Sequence, residues 1–265
     1  MSRLASYSYW VAILWLTTLV LLSSTANFLP LPKPLDLDLG KMLQGPTSAD
    51  MAGTDELGRD VLSRVVYAAR STLLITAGAT SLALFLGVIL GGAAGYLGGW
   101  PDRLVLLLTD LFWSIPFVIF VVLIVAVIGV SKTSLILTIG GINWVSPARV
   151  IRAETSRLAN VDFVIAARSH GYSESHVLVY EILPNLWKTI FTLAAYGAIE
   201  VMTLETGLAF LGLSMPAPSP TWGGMLADGL SYFSSAWWIV LVTAGVITAT
   251  LGSLQLLARG LEKAS

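Results

Sequence analysis

Apolar residues gather along the chain in six long runs, approximately 7–24, 72–97, 104–130, 134–151, 188–213 and 236–258. About 20 residues at 1.5 Å per residue cross the ~30 Å hydrocarbon core of a bilayer, so the pattern predicts an all-α membrane protein with six transmembrane helices. The first run also admits a cleaved signal peptide, because Arg3 precedes an apolar stretch and Ser23 to Ala26 is small and polar. Tyr7, Tyr9 and Trp10 suit a retained helix with an interfacial anchor better.

Polar residues concentrate in one island, DFVIAARSHGYSESHVLVYEILPN, from Asp162 to Asn185. A membrane protein keeps such a stretch for contact with something in water. Val161 to Ser169 reads as a short helix with Asp162 in its first turn, where a carboxylate complements the positive helix end. Ala166 and Ala167 present almost no side chain, which lets a partner groove close on the backbone, and Gly171 supplies a left-handed turn. Ser173 then caps a second helix through His176 and Tyr180, and Pro184 opens the next span where its missing N–H does no harm.

The long loop 25–71 divides in two. Pro30, Pro32, Pro34 and Asp36 to Gly40 form an extended connector. In GTDELGRDVLSRVVYAARSTL, Thr54 can cap a helix, and Leu57, Val61, Leu62, Val65 and Val66 repeat at helical spacing. The expectation is an amphipathic helix at the outer interface leading into the second span, or equally a plain entry helix to that span.

Within the spans, Gly87, Gly91, Gly95 and Gly99 recur every four residues and clear a stripe for close helix packing, with a partner inside the chain as the preferred reading. Acidic residues there are costly, about 2.5 to 3.5 kcal/mol each at a helix centre. Asp110 is read as a snorkelling or capping carboxylate first and a path-lining one second. Glu200 and Glu205 lie deeper and about 140° apart around one helix, so they do not face one line. For each, path-lining and buried structural pairing fit equally. Asn143, Pro116 and Pro147 add polar and broken-helix features.

Orientation follows from the basic residues of short loops. With the N-terminus inside, Arg3, Arg103, Arg149, Arg152, Arg157, Arg168, Lys188, Arg259 and Lys263 fall inside and Lys132 alone falls in a short outer loop. Both termini and the island are therefore expected in the cytoplasm. Composition agrees with a bilayer: 55% hydrophobic, 12% charged, mean hydropathy +0.79. A net charge of -1 without a basic cluster gives no electrostatic case for nucleic acid. Cysteine is absent, His170 and His176 lie far from other ligand types, and no metal site is expected. There is no GxxxxGK[ST] run to cradle phosphates and no HExxH.

The island resembles the EAA loop of ABC-importer permeases, the cytoplasmic element that docks into the ATPase subunit. GTDELGRDVLSR (Gly53 to Arg64) and ETGLAFLGLSMPAPSPTWGGML (Glu205 to Leu226) are similar to hallmark segments of the C-type permease in the dipeptide, oligopeptide and nickel importer family. Together with the six-span plan, the resemblance covers nearly the whole chain. It implies a type I ABC importer permease fold with a cytoplasmic coupling helix, in a bacterial or archaeal cytoplasmic membrane. Residues 1–71 would then hold the first helix, the periplasmic loop and the amphipathic helix, and 72–265 a five-helix core with coupling segment 153–187. Coupling would rest on Asp162, Ala166, Ala167, Gly171, Leu183 and Pro184. The candidate translocation path comprises Asp110, Asn143, Glu200 and Glu205.

The implied partners are a homologous B-type permease, two ATPase subunits or domains, an external solute-binding protein and membrane lipid. No cofactor is expected on this chain; ATP and Mg would sit on the partner ATPases. The implied mechanism is alternating access, with peptide-like solutes first and nickel or a metal chelate second as cargo. Two positions depart from the family pattern: Ile165 stands where a glutamate usually precedes the alanine pair, and Glu181 where histidine is common. The loop Ser214 to Leu226, stiffened by Pro216, Pro218 and Pro220, reads as a lid with Trp222 at the interface, or as a contact for the binding protein. A secondary transporter using Glu200 and Glu205 as ion sites is the rival of another class. An intramembrane enzyme would need a convergent catalytic set, which the spans lack.

Overall fold

The computed structural model describes residues 3–213, 215–216 and 219–263, with side chains from 8 to 262 among them. Ser214 and Pro218, and the side chains of Arg3, Tyr7 and Lys263, lie outside the described residues. The architecture among the described residues is helical: α1 Arg3–Thr25, α2 Val61–Leu97, α3 Gly99–Ser114, α4 Phe117–Ile128, α5 Lys132–Ile142, α6 Val145–Leu158, α7 Asp162–Ser169, a single turn α8 Glu174–His176, α9 Trp187–Phe210, α10 Trp222–Ser231 and α11 Trp237–Lys263. Three stretches, Ser8–Phe28, Val61–Leu97 and Trp237–Glu262, are long and apolar enough to cross a membrane singly. Two helix pairs qualify together across a bend, α3 with α4 at 84° and α5 with α6 at 41°.

Each bend has a local cause. Pro116 lies between α3 and α4, where its ring clashes with a continuing helix and its missing N–H breaks the ladder. Between α5 and α6 the helix stops at Asn143 and Trp144, and Pro147 follows within the first turn of α6, where no N–H is needed. The runs 104–130 and 134–151 are thus not straight helices.

At 37 residues, α2 is the central post of the molecule, about 55 Å long. It is one continuous helix from Val61, so the expected amphipathic piece is its first turns. Thr54 is not its cap. The Asp60 carboxylate accepts the Ser63 N–H at 2.6 Å, while the fully buried Thr54 pairs with Asp60 across a short bridge and its hydroxyl donates to the Lys41 carbonyl. Leu57 sits in the preceding turn. That turn is built on Asp55, 1% exposed, which accepts the N–H groups of Leu57 and Arg59 and is ion-paired to both Arg59 and Arg64. Charges that would fill a helix's polar face instead close a loop.

The glycine stripe packs α2 against α6. A Cβ at Gly87 would lie 2.9 Å from the Pro147 side chain, and one at Gly91 or Gly95 would overlap the backbone carbonyls of Ala148 or Arg152. Gly99 is not part of this stripe. It opens α3 with φ +60 and has nothing within 4 Å of its would-be Cβ, because Gly98 and Gly99 turn the chain out of α2. Trp222 is likewise not interfacial: it is fully buried, its backbone N–H on the Thr72 hydroxyl at 3.0 Å and its indole N–H on the Val65 carbonyl at 2.9 Å. With Trp238 donating to the Thr54 carbonyl at 3.1 Å, the segments 53–64 and 221–238 are tied together at one end of the bundle.

Candidate functional site

Two regions gather the residues singled out in the sequence. The first is the polar island. Asp162 occupies the first turn of α7, Gly171 takes φ +84 and ends it, and the Ser173 hydroxyl accepts the His176 N–H at 3.3 Å. Beyond α8 the backbone widens into a π-helical turn, Val177–Ile182, and then tightens into a 3₁₀ turn, Leu183–Leu186. Pro184 has no N–H to give to the carbonyl four residues back, and Leu183 donates five back, to Leu178. The second helix is therefore continuous with α9 through an irregular joint.

The alanine pair divides its labour. Ala167 is buried with Val164, Val177 and Ile182 in an apolar cluster that anchors the segment to α6 and the end of α2. Ala166 faces out beside Phe163 and Ile165, which are 38% and 50% exposed. Leu183 packs on that cluster and Pro184 is exposed. A further ridge, exposed at Tyr172 and Tyr180, is formed with the half-buried His176, whose ring stacks on Tyr172 at 4.6 Å and lies tilted against Tyr180 at 4.8 Å.

A latch that sequence reasoning missed joins the island to α2. The Tyr96 hydroxyl donates to the Glu174 carboxylate, Arg168 Nε donates to the same hydroxyl at 3.2 Å, and the Arg168 guanidinium lies 4.8 Å from the Tyr96 ring centroid. Tyr96 and Glu174 are 78 residues apart, and no local pattern links them. The arginines that suggested orientation are also committed: Arg152 is bidentate on Asp102, and Arg149 pairs with Asp110 while lying 4.0 Å from the Trp113 ring centroid. Asp110 is thus an ion-pair partner between α3 and α6, its side chain 71% exposed.

The second region is a cavity of about 210 Å³ at both helix breaks, lined by Phe112, Phe117 and Asn143 and by Glu200 from α9. A smaller cavity of about 60 Å³ between α2, α6 and α9 shares Asn143, Ser146 and Glu200. Asn143 Nδ2 is buried without a hydrogen-bond partner. Glu205 is elsewhere: it is 2% exposed and packs under α10, where a Cβ at Gly223 would lie 3.0 Å from its Oε2. Thr221, the N-cap of α10, is its polar neighbour, so this carboxylate faces a helix N-terminus. The structure therefore joins Asn143 with Glu200 and leaves Asp110 and Glu205 apart from them.

Residues 83–263 match the family model described as binding-protein-dependent transport system inner membrane component. The dipeptide transport system permease protein DppC of Alkalihalophilus pseudofirmus is 31% identical over 254 residues, 96% of this chain and 84% of that protein. For the oligopeptide transport system permease protein OppC the figures are 30% over 257 residues in Bacillus subtilis, covering 96% and 84%, and 32% over 234 residues in Haemophilus influenzae, covering 86% and 74%. A match over most of the chain, with relatives aligned along most of their own length, makes this chain a membrane-embedded permease subunit of the binding-protein-dependent transport system inner membrane component family.

Proposed function

We propose that the chain forms half of the translocation pathway of an ATP-driven importer for peptide-like solutes. The relatives' names, dipeptide and oligopeptide transport system permease, are what favour that cargo. Six crossings follow if each bent pair is one span and α9, 24 residues and about 36 Å long, is the sixth. Both termini and the segment 153–187 then lie in the cytoplasm, in line with the basic residues of the short loops.

Energy comes from separate ATPase subunits carrying ATP and Mg, because this sequence holds no phosphate-cradling motif of its own. The observation that carries this reading is the exposed apolar face of the island. Phe163, Ile165 and Tyr172 stand out from a segment whose inner face is held by the Val164 and Ala167 cluster and by the Tyr96 latch. A partner that seats on this face and shifts moves α6, α7 and α2 together, the rigid displacement that alternating access requires. A homologous B-type permease and an external solute-binding protein complete the assembly.

The test is ATP-dependent peptide uptake by proteoliposomes holding this chain, a second permease and the ATPases, with the binding protein added outside. Uptake is expected only with ATP on the ATPase side. Phe163→Asp is expected to abolish uptake together with ATPase association, and uptake driven by an ion gradient without ATP would refute the assignment.

A further inference from the structure

We propose that the cavity at the two helix breaks binds the cationic amino terminus of the passing peptide, with the Glu200 carboxylate as its counter-ion and the Asn143 amide as a donor to the first carbonyl. The inference rests on the importer reading above. Its position is the first argument. Pro116 divides α3 from α4, Asn143 divides α5 from α6, and Glu200 is near the middle of α9, so three spans bring their central residues to one place. Broken helices release backbone groups from the ladder, and such breaks are tolerated at membrane depth where they line a cavity.

Charge is the second. Glu200 is the one ionisable side chain lining this cavity and has no ion pair or hydrogen bond among the described residues. The nearby cation, Arg149, is already paired with Asp110. The Glu200 side chain is exposed, so an arriving cation can reach it, and a carboxylate without a partner in a span gains from one that does. The wall is the third. Phe112 and Phe117 line the cavity, and an ammonium group gains from aromatic faces at close range. Asn143 Nδ2, a buried donor without a partner, suits a carbonyl next to that ammonium. At about 210 Å³ the cavity has room for an ammonium group and the carbonyl beside it.

The experiment uses the full reconstituted transporter with its binding protein, and Ala-Ala-Ala and N-acetyl-Ala-Ala-Ala as probes at concentrations that saturate that protein. Glu200→Gln is expected to lower Ala-Ala-Ala uptake at least about tenfold, while ATP hydrolysis stimulated by the loaded binding protein stays within about twofold of wild type. Glu200→Asp should keep most of the uptake, and the acetylated probe should move equally slowly through wild type and Glu200→Gln. Two results overturn the proposal: wild-type Ala-Ala-Ala uptake by Glu200→Gln, or equal loss of both probes together with the ATPase stimulation. If the wild-type complex drives no ATP-dependent uptake of either probe, the importer reading falls as well, which separates the two failures.

Discussion

Gly91 and Gly141 are both helical glycines, and they carry opposite expectations. A methyl at Gly91 would overlap the Ala148 carbonyl, so α2 and α6 must part; Gly91→Ala is expected to destabilise by about 1–3 kcal/mol. Gly141 has open space around its would-be Cβ, and Gly141→Ala is expected to stabilise by up to about 1 kcal/mol through helix propensity. Thermal unfolding of the purified protein in detergent checks both. The period of four made Gly87, Gly91 and Gly95 legible in the sequence. It misled at Gly99, because a helix end at Gly98 interrupts the pattern without disturbing its spacing.

Asp60 is a second residue with a signed prediction. Burial pushes its carboxyl above the usual carboxylate range, against the lowering effect of the Ser63 N–H. The native state therefore holds the proton more tightly than the unfolded chain, and stability falls as pH rises from about 3.9 through the raised native value. Asp60→Asn keeps a capping oxygen without the titration, so its stability should lack that fall, whereas Asp60→Ala should lose about 1 kcal/mol at any pH. Unfolding midpoints across the acidic range decide between them. The sequence pattern puts the cap at Thr54, and only the bridge that seats Thr54 against Asp60 shows that Asp60 does the capping.

At the scale of elements, the Tyr96, Arg168 and Glu174 latch is expected to matter for coupling more than for stability. The Arg168 and Glu174 side chains are 39% and 67% exposed, and an exposed ion pair is worth about 0.2–1 kcal/mol. Glu174→Arg should therefore leave folding and ATPase association nearly intact while slowing transport per ATP hydrolysed. Adding Arg168→Glu should restore it by reversing the pair, and simultaneous transport and hydrolysis assays read the ratio. Gly171 gives a second contrast: at φ +84 with open space around it, Gly171→Asn should be tolerated, and Gly171→Val should disrupt the turn and the docking with it. The turn, the cap at Ser173 and the short α7 were readable from local chemistry. The latch, the π-helical turn and the inward-facing Ala167 depend on α2 packing beside the island, which no window of adjacent residues reports.

For the whole molecule, apolar runs located the long helices, yet three of those runs needed the fold to interpret them. The proline at 116 turned one run into two helices at 84°, and the stop at Asn143 bent another by 41°. The carboxylates of α9 gave a third helix the polarity that sets it apart from α2 and α11. Those same breaks and carboxylates could be found singly in the sequence; their convergence around one cavity, and the exclusion of Glu205 and Asp110 from it, could not, since both follow from how α3, α5, α6 and α9 are packed. On the proposed function, a separate ATPase moves this bundle through the exposed face of α7, and a photo-crosslinking residue at Phe163 in the assembled transporter reads that contact. A crosslink to the ATPase subunit, with a yield that changes when ATP is added, is expected; capture of lipid or of this chain alone, while the ATPase still co-purifies, rules the contact out.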